Sequence, residues 1–151
     1  MKFLVKLLAS GFGTGYAPVA PGTVGSALAT AVIYFCAGWW SPLPALGISV
    51  LAFLLGVACC SRAEKYWGHD NRRMVIDEMA GMCLAVSFCE VGLKTLVPAF
   101  FIFRLFDIIK PPPASSAERL PSGWGVMADD TVAGAYTAML MWVLTRWMRS
   151  S

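Results

Sequence analysis

The sequence predicts an all-α, multi-helix integral membrane bundle with a re-entrant Gly/Pro-rich loop near its N-terminus. Three observations carry this expectation. Apolar residues make up 58% of the 151 and charged residues only 14%, where a soluble domain has roughly 45–50% and about 25%. The mean hydropathy is +0.65. The charges are also bunched: the 55 residues from Leu7 to Ser61 hold none, and the 17 from Arg62 to Glu78 hold eight. Residues 1–151 are the length of a single domain. Such a composition excludes a disordered tail, a coiled coil and a nucleic-acid-binding arm. It also argues against an ordinary water-soluble enzyme. The net charge of +3 suits an anionic membrane face rather than a polyanion.

Taken in order, residues 10–25 (SGFGTGYAPVAPGTVG) hold five glycines and two prolines, a composition that breaks helices and favours a tight loop. Val24 to Trp40 and Leu43 to Cys60 are apolar runs separated by Ser41-Pro42-Leu43-Pro44. Each approaches the ~20 residues that cross a ~30 Å hydrocarbon core. Together they predict a transmembrane hairpin with Trp39 and Trp40 at the far interface. Lys2 and Lys6 precede it and Arg62, Lys65, Arg72 and Arg73 follow, so both ends are expected in the cytoplasm. No signal-peptide cleavage site is evident. Two shorter helices are predicted over 75–89 and 94–109, the second ended by Pro111-Pro112-Pro113. Residues 114–128 read as a polar loop. Asp129-Asp130 opens a last helix of about 18 residues, closed by Arg146 and Arg149.

The few charges left at apolar boundaries are the candidates for function. Five of nine carboxylates sit there: Asp77, Glu78, Asp107, Asp129 and Asp130. A charge at a helix centre in bilayer costs roughly 2.5–3.5 kcal/mol, so such a group needs a partner or a purpose. Adjacent like charges repel unless a cation neutralises them, and carboxylate oxygens suit Mg²⁺ or Ca²⁺. Ordinary helix capping would equally explain Asp77-Glu78 and Asp129-Asp130. Arg104, Asp107 and Lys110 recur every three residues on one helix face. That is either a solvated salt-bridge ladder or a metal-holding carboxylate flanked by two cations for an anionic group. Carboxylate-bound magnesium with Arg and Lys is one way of holding a phosphoryl group. The Gly-rich segment, with the hydroxyls of Thr14, Thr23 and Ser26 near a helix start, offers a phosphate cradle; it lacks the lysine of a P-loop, and its glycines could equally serve packing.

Other chemistries drop out. A single histidine, His69, excludes any mechanism needing two; with Asp70 it forms a candidate acid/base pair or a supporting contact. No cysteine has an arginine six positions on, and Cys36, Cys59, Cys60, Cys83 and Cys89 form no C-x-x-C, so they read as small core or lipid-facing hydrophobes.

The strings APGTVGS (20–26), HD (69–70) followed by VIDEMAGM (75–82), FRLFDIIKPPP (103–113) and GWGVMADDTVAG (123–134) resemble the bacterial phosphatidylglycerophosphatase A family, in the same order and over about residues 10 to 135. The resemblance implies an all-helical fold and magnesium-dependent hydrolysis of phosphatidylglycerophosphate to phosphatidylglycerol at the cytoplasmic membrane. It implies that Asp77, Glu78, Asp107, Asp129 and Asp130 bind metal or act in catalysis, with Asp77, Asp107, Asp130 and His69 as the catalytic candidates. Thr23, Arg104 and Lys110 would then meet the substrate. Attack by water and an aspartyl-phosphate intermediate are both open. A CDP-alcohol phosphotransferase is a weaker rival, since Asp129-Asp130-Thr131-Val132-Ala133-Gly134 does not supply its motif. A non-enzymatic transporter or assembly subunit would spread its carboxylates through the membrane depth; an enzyme would gather them at one face.

Overall fold

In a computed structural model that describes residues 2–69 and 71–150, every regular element is helical. Asp70 and the side chain of Arg149 lie outside the described residues, and with them the His69–Asp70 pair and the Arg149 end of the last helix.

Helix α1 (Lys2–Ala9) packs on the end of α3 (Pro42–Trp67). Lys2 and Lys6, one turn apart on α1, lay their ammonium groups over the Tyr66 ring at 4.9 and 5.6 Å. Gly11, Phe12 and Gly13 then take left-handed backbone angles, and a short 3₁₀ turn follows at Thr14–Tyr16. This segment docks on the approach to α4 (Ile76–Ala85): Val75 N–H donates to the Ala9 carbonyl at 2.9 Å. Helix α2 (Pro21–Phe35) begins three residues before the apolar run at 24–40 implies. Proline at the first helical position has its φ already set for a helix, so residues 21–25 belong to α2 and not to the expected loop.

Helix α3 is 26 residues long and runs past Cys60 to Trp67, where Gly68 (φ 89°) stops it. At 1.5 Å per residue it measures about 39 Å. Among the described residues it is the one helix long and apolar enough to cross a membrane; 33% of its most apolar stretch is buried inside the protein. Leu43, Ile48, Leu51, Leu54 and Leu55 all face outward. Helices α2 and α3 pack on α4 more than on each other, so the expected hairpin is splayed around α4. Trp39 lies exposed at the tip, whereas Trp40 turns inward and donates its indole N–H to the Val86 carbonyl at 3.3 Å.

Helix α4 spans 10 residues rather than the expected 15, and Asp77, Ala80, Gly81, Met82 and Ala85 on it are buried. Helix α5 (Leu93–Ile109) matches its expected span; it starts with Thr95 Oγ1 accepting from Gly92 N–H at 3.1 Å and ends at Lys110 in a left-handed conformation. After the short α6 (Ala114–Ala117), α7 runs over Gly123–Ser150, 28 residues. It therefore starts six residues before Asp129, inside the segment whose glycines read as loop. Those glycines are there for close packing: a Cβ on Gly123 would meet the α3 backbone near Ser61, and one on Gly125 the Leu120 and Glu118 carbonyls.

The contacts set the direction of each helix. Gly22, Glu78 and Arg104 meet, and so do Gly123 and Ser61. Helices α2, α4 and α7 start, and α3 and α5 end, at the same end of the bundle. Away from it, Ile33, Met82, Val86, Leu96, Phe103 and Met141 form the main core.

Candidate active site

The site is built where those helix ends meet. Asp77 and Gly81 on α4 are four residues apart, and so are Asp130 and Gly134 on α7. That spacing puts acid and glycine on one face of each helix. The two helices cross glycine to glycine: a Cβ on Gly81 would lie 2.7 Å from the Asp130 carbonyl oxygen, and one on Gly134 would strike the Gly81 carbonyl. Backbone contact this close carries the acids one turn earlier into contact as well. One carboxylate oxygen from each of Asp77, Glu78 and Asp130 lies within 4.8 Å of the other two.

Burial makes this cluster costly. Asp77 is 8% exposed and Asp130 2%. Carboxylates gathered this closely repel one another unless a cation faces them. Backbone donors orient the acids: Asp77 Oδ1 accepts from Glu78 N–H at 3.0 Å, and Asp129 Oδ1 from Asp130 N–H at 2.9 Å.

Two cations flank the nest. Arg104 pairs with Asp107 one turn along α5, and its Nη1 lies 3.9 Å from Glu78 Oε1. Both Arg104 Nε and Glu78 Oε2 are buried with no hydrogen-bond partner. A buried donor and a buried acceptor left without partners side by side mark a place built to meet a further ligand. Lys110 does not continue the stripe of Arg104 and Asp107. Its left-handed backbone ends α5 and sends Nζ to Asp129 Oδ2 at 2.7 Å and Glu118 Oε1 at 3.2 Å. Burial alone would lower the Lys110 pKa, but the hydrogen bonds and charges of Asp129 and Glu118 raise it above the usual lysine value, so Lys110 is a fixed cation. The solvated-ladder reading of 104, 107 and 110 therefore fails. So does capping by Asp129 and Asp130, which lie in the second turn of α7. Asp77 and Glu78 do sit in the first turn of α4, where its dipole favours acids, but the N-cap is Val75.

Gly22, in the first turn of α2, abuts the nest: a Cβ there would collide with Glu78 Oε1. Thr23 follows it, half-buried. The other hydroxyls of the expected cradle serve the backbone: Thr14 Oγ1 donates to Gly11 O and Ser26 Oγ to Gly22 O, both at 2.9 Å. His69 pairs through Nδ1 with Glu64 near the end of α3, and Glu64 Oε2 also accepts from Ser122 Oγ at 2.6 Å. The structure thus joins Asp77, Glu78, Arg104, Asp107 and Asp130 in one nest, sets Lys110 and Asp129 beside it, and ties His69 to a clasp between α3 and α7. Glu118 and Gly22 join the site without a sequence signal that singles them out. Gly81 and Gly134 had one: each follows a site acid at the same interval.

An all-oxygen donor set with one unsatisfied carboxylate oxygen fits a hard divalent cation. It offers no thiolate or imidazole ligand of the kind that favours zinc.

The sequence is similar to those of known lipid phosphatases. The family model for phosphatidylglycerophosphatase A matches residues 7–145. A Bacteroides thetaiotaomicron protein that carries the provisional name phosphatidylinositol-3-phosphatase is 38% identical over 97% of this chain and 96% of its own. Proteins named phosphatidylglycerophosphatase A from Haemophilus influenzae and Escherichia coli are 33% and 36% identical, over 95% and 91% of this chain and 90% and 81% of theirs. No solved structure matches. A match across nearly the whole chain, around acids that the fold gathers in one place, makes this protein a phosphatase belonging to the phosphatidylglycerophosphatase A family.

Proposed function

We propose that the protein hydrolyses phosphatidylglycerophosphate to phosphatidylglycerol and phosphate, using Mg²⁺, as a step of phospholipid biosynthesis. The observation that carries this reading is the buried convergence of Asp77, Glu78 and Asp130 beside Arg104, with Glu78 Oε2 and Arg104 Nε unpartnered. Asp77, Glu78 and Asp130, with Asp107 and Asp129 nearby, would hold Mg²⁺, which when bound polarises a phosphoryl group and lowers the pKa of water.

The chain's own residues do the rest. Arg104, held by Asp107, turns its free Nε–H toward a phosphate oxygen, and Lys110, held by Asp129 and Glu118, supplies a second positive charge. Positive groups fixed before substrate arrives stabilise the charge of the transferring phosphoryl group without rearrangement. Thr23 lies beside Gly22 at the start of α2, where N–H groups face an incoming anion. A nest carboxylate, Asp77, Asp107 or Asp130, takes the proton of the attacking water as the bond from phosphorus to the glycerol oxygen breaks. The leaving glycerol oxygen takes up a proton, from that carboxyl or from His69 once its pairing with Glu64 opens. Attack by one of the aspartates, giving an aspartyl-phosphate, is the alternative route.

The same reading makes the protein a multi-pass protein of the bacterial inner membrane with its site facing the cytoplasm. Support comes from α3, from the outward-facing leucines, and from Lys2, Lys6, Arg72 and Arg73 at the site's end of the molecule. A transporter or assembly subunit would spread its acids through the depth of the bundle, whereas these gather at one end. The name of the Bacteroides relative favours a second substrate, a phosphatidylinositol 3-phosphate, which offers the same lipid-borne phosphomonoester. The test is phosphate release from phosphatidylglycerophosphate with and without Mg²⁺, with phosphatidylinositol 3-phosphate and phosphatidic acid as competing substrates. Magnesium-dependent release that favours phosphatidylglycerophosphate supports the proposal, and release from none of the three refutes it.

A further inference from the structure

We infer that the groove between α2 and α5 seats one acyl chain of the lipid whose phosphate enters the nest. The inference rests on reading that nest as a lipid phosphatase site. Beyond the point where Gly22 of α2 meets Arg104 of α5, the two helices part along a groove of about 340 Å³ that runs away from the acids. Ala27 and Ala31, one turn apart, keep the α2 wall low, while Val97, Phe100 and Phe101 form the α5 wall. The Thr30 hydroxyl on the α2 side is already spent on the Ser26 carbonyl at 2.8 Å. The groove therefore offers mainly hydrocarbon contact, with the Tyr34 hydroxyl at its far end.

What fits this shape is set by its two ends. One, at Ala27 and Phe101, lies about a helical turn from the place where Gly22 meets Arg104, whose buried Nε has no partner and matches a phosphate. The other opens among Tyr34, Phe35 and Leu93, which are exposed. An amphiphile with an anionic head and an unbranched apolar tail satisfies both at once. A protein helix would leave the Arg104 end unmatched. Seating the chain here also fixes the reach of the headgroup, because α2 carries both Gly22 at the nest and Ala31 in the groove.

The experiment uses the full-length protein in nanodiscs and a phosphatidic acid with a diazirine in its acyl chain. Label is expected on the α2 and α5 peptides, 27–35 and 93–101. Ala31→Trp and, from the facing wall, Val97→Trp should each cut that label by about tenfold, as expected when a stretch of chain loses its buried place. Both positions are exposed, so either tryptophan can be housed without disturbing the core. In turnover, the same variants should raise KM for a dioleoyl substrate while leaving a dihexanoyl analogue within about twofold. Label unchanged by both variants, or label concentrated on α3 around Phe53, would each overturn the inference. Labelling needs no catalysis, so it can succeed where the phosphatase assay fails, and fail where that assay succeeds.

Discussion

Arg104 faces two ways: Asp107 holds one edge of its guanidinium, and Nε is left without a partner in a buried site. If that nitrogen awaits a phosphate oxygen, Arg104→Lys keeps the charge but loses the forked donor. Phosphate release should fall by about 10²-fold, with the far-ultraviolet dichroism unchanged. Asp107→Asn and Asp130→Asn should lose as much or more, on the order of 10²–10³-fold; variants that keep full magnesium-dependent turnover would remove these acids from the site. Gly22→Ala is the subtler case. Its methyl group would push on Glu78 Oε1, so activity should drop while thermal stability changes little. Arg104, Asp107 and Asp130 were legible in the sequence because an acid or base is conspicuous in so apolar a chain; Gly22 was not. Glu118 was not, because its importance comes from reaching Lys110 across the turn after α5. The fate of Lys110 itself depended on one left-handed backbone angle that residue spacing does not reveal.

Between helices, the nest depends on the crossing of α4 and α7 at Gly81 and Gly134. Replacing either by valine forces the pair apart, an overpacking that costs about 1–3 kcal/mol. A guanidinium melt in detergent should show that loss, with magnesium-dependent activity abolished along with it. The span of α5 was readable, since the proline triplet ends it and the apolar run defines it. The start of α7 was not. Gly123 and Gly125 look like loop residues until the α3 backbone and the Glu118 carbonyl are seen to leave no space for a side chain. The same error made Asp129 and Asp130 look like caps. The sequence hides the start of α2 for a related reason: Pro21 and Gly22 are helix breakers in the interior but acceptable in a first turn.

Over the whole molecule, one end collects the starts of α2, α4 and α7, most of the site's charge, and the basic residues of α1 and of the turn before α4. The other end carries the exposed Trp39. The alternation of apolar runs and charged patches made that polarity readable, but not the central place of α4. A helix of 10 residues is too short to stand out as a span, and only tertiary contact shows the others gathered on it. If the charged end faces the cytoplasm, a cysteine replacing exposed Arg72 in a cysteine-free background will react with a membrane-impermeant maleimide only after cell lysis. One replacing exposed Gly38 will react in intact cells with a permeable outer membrane. The reverse pattern would invert the proposed orientation.

The central claim is that these scarce acids form one cation-holding site, and Mn²⁺ standing in for Mg²⁺ makes it directly measurable. In an electron paramagnetic resonance titration of the purified protein, the account predicts saturable loss of the free Mn²⁺ signal, competed by Mg²⁺ and weakened at least about tenfold by Glu78→Gln or Asp130→Asn. An unsaturable titration, or one identical in wild type and both variants, would contradict it.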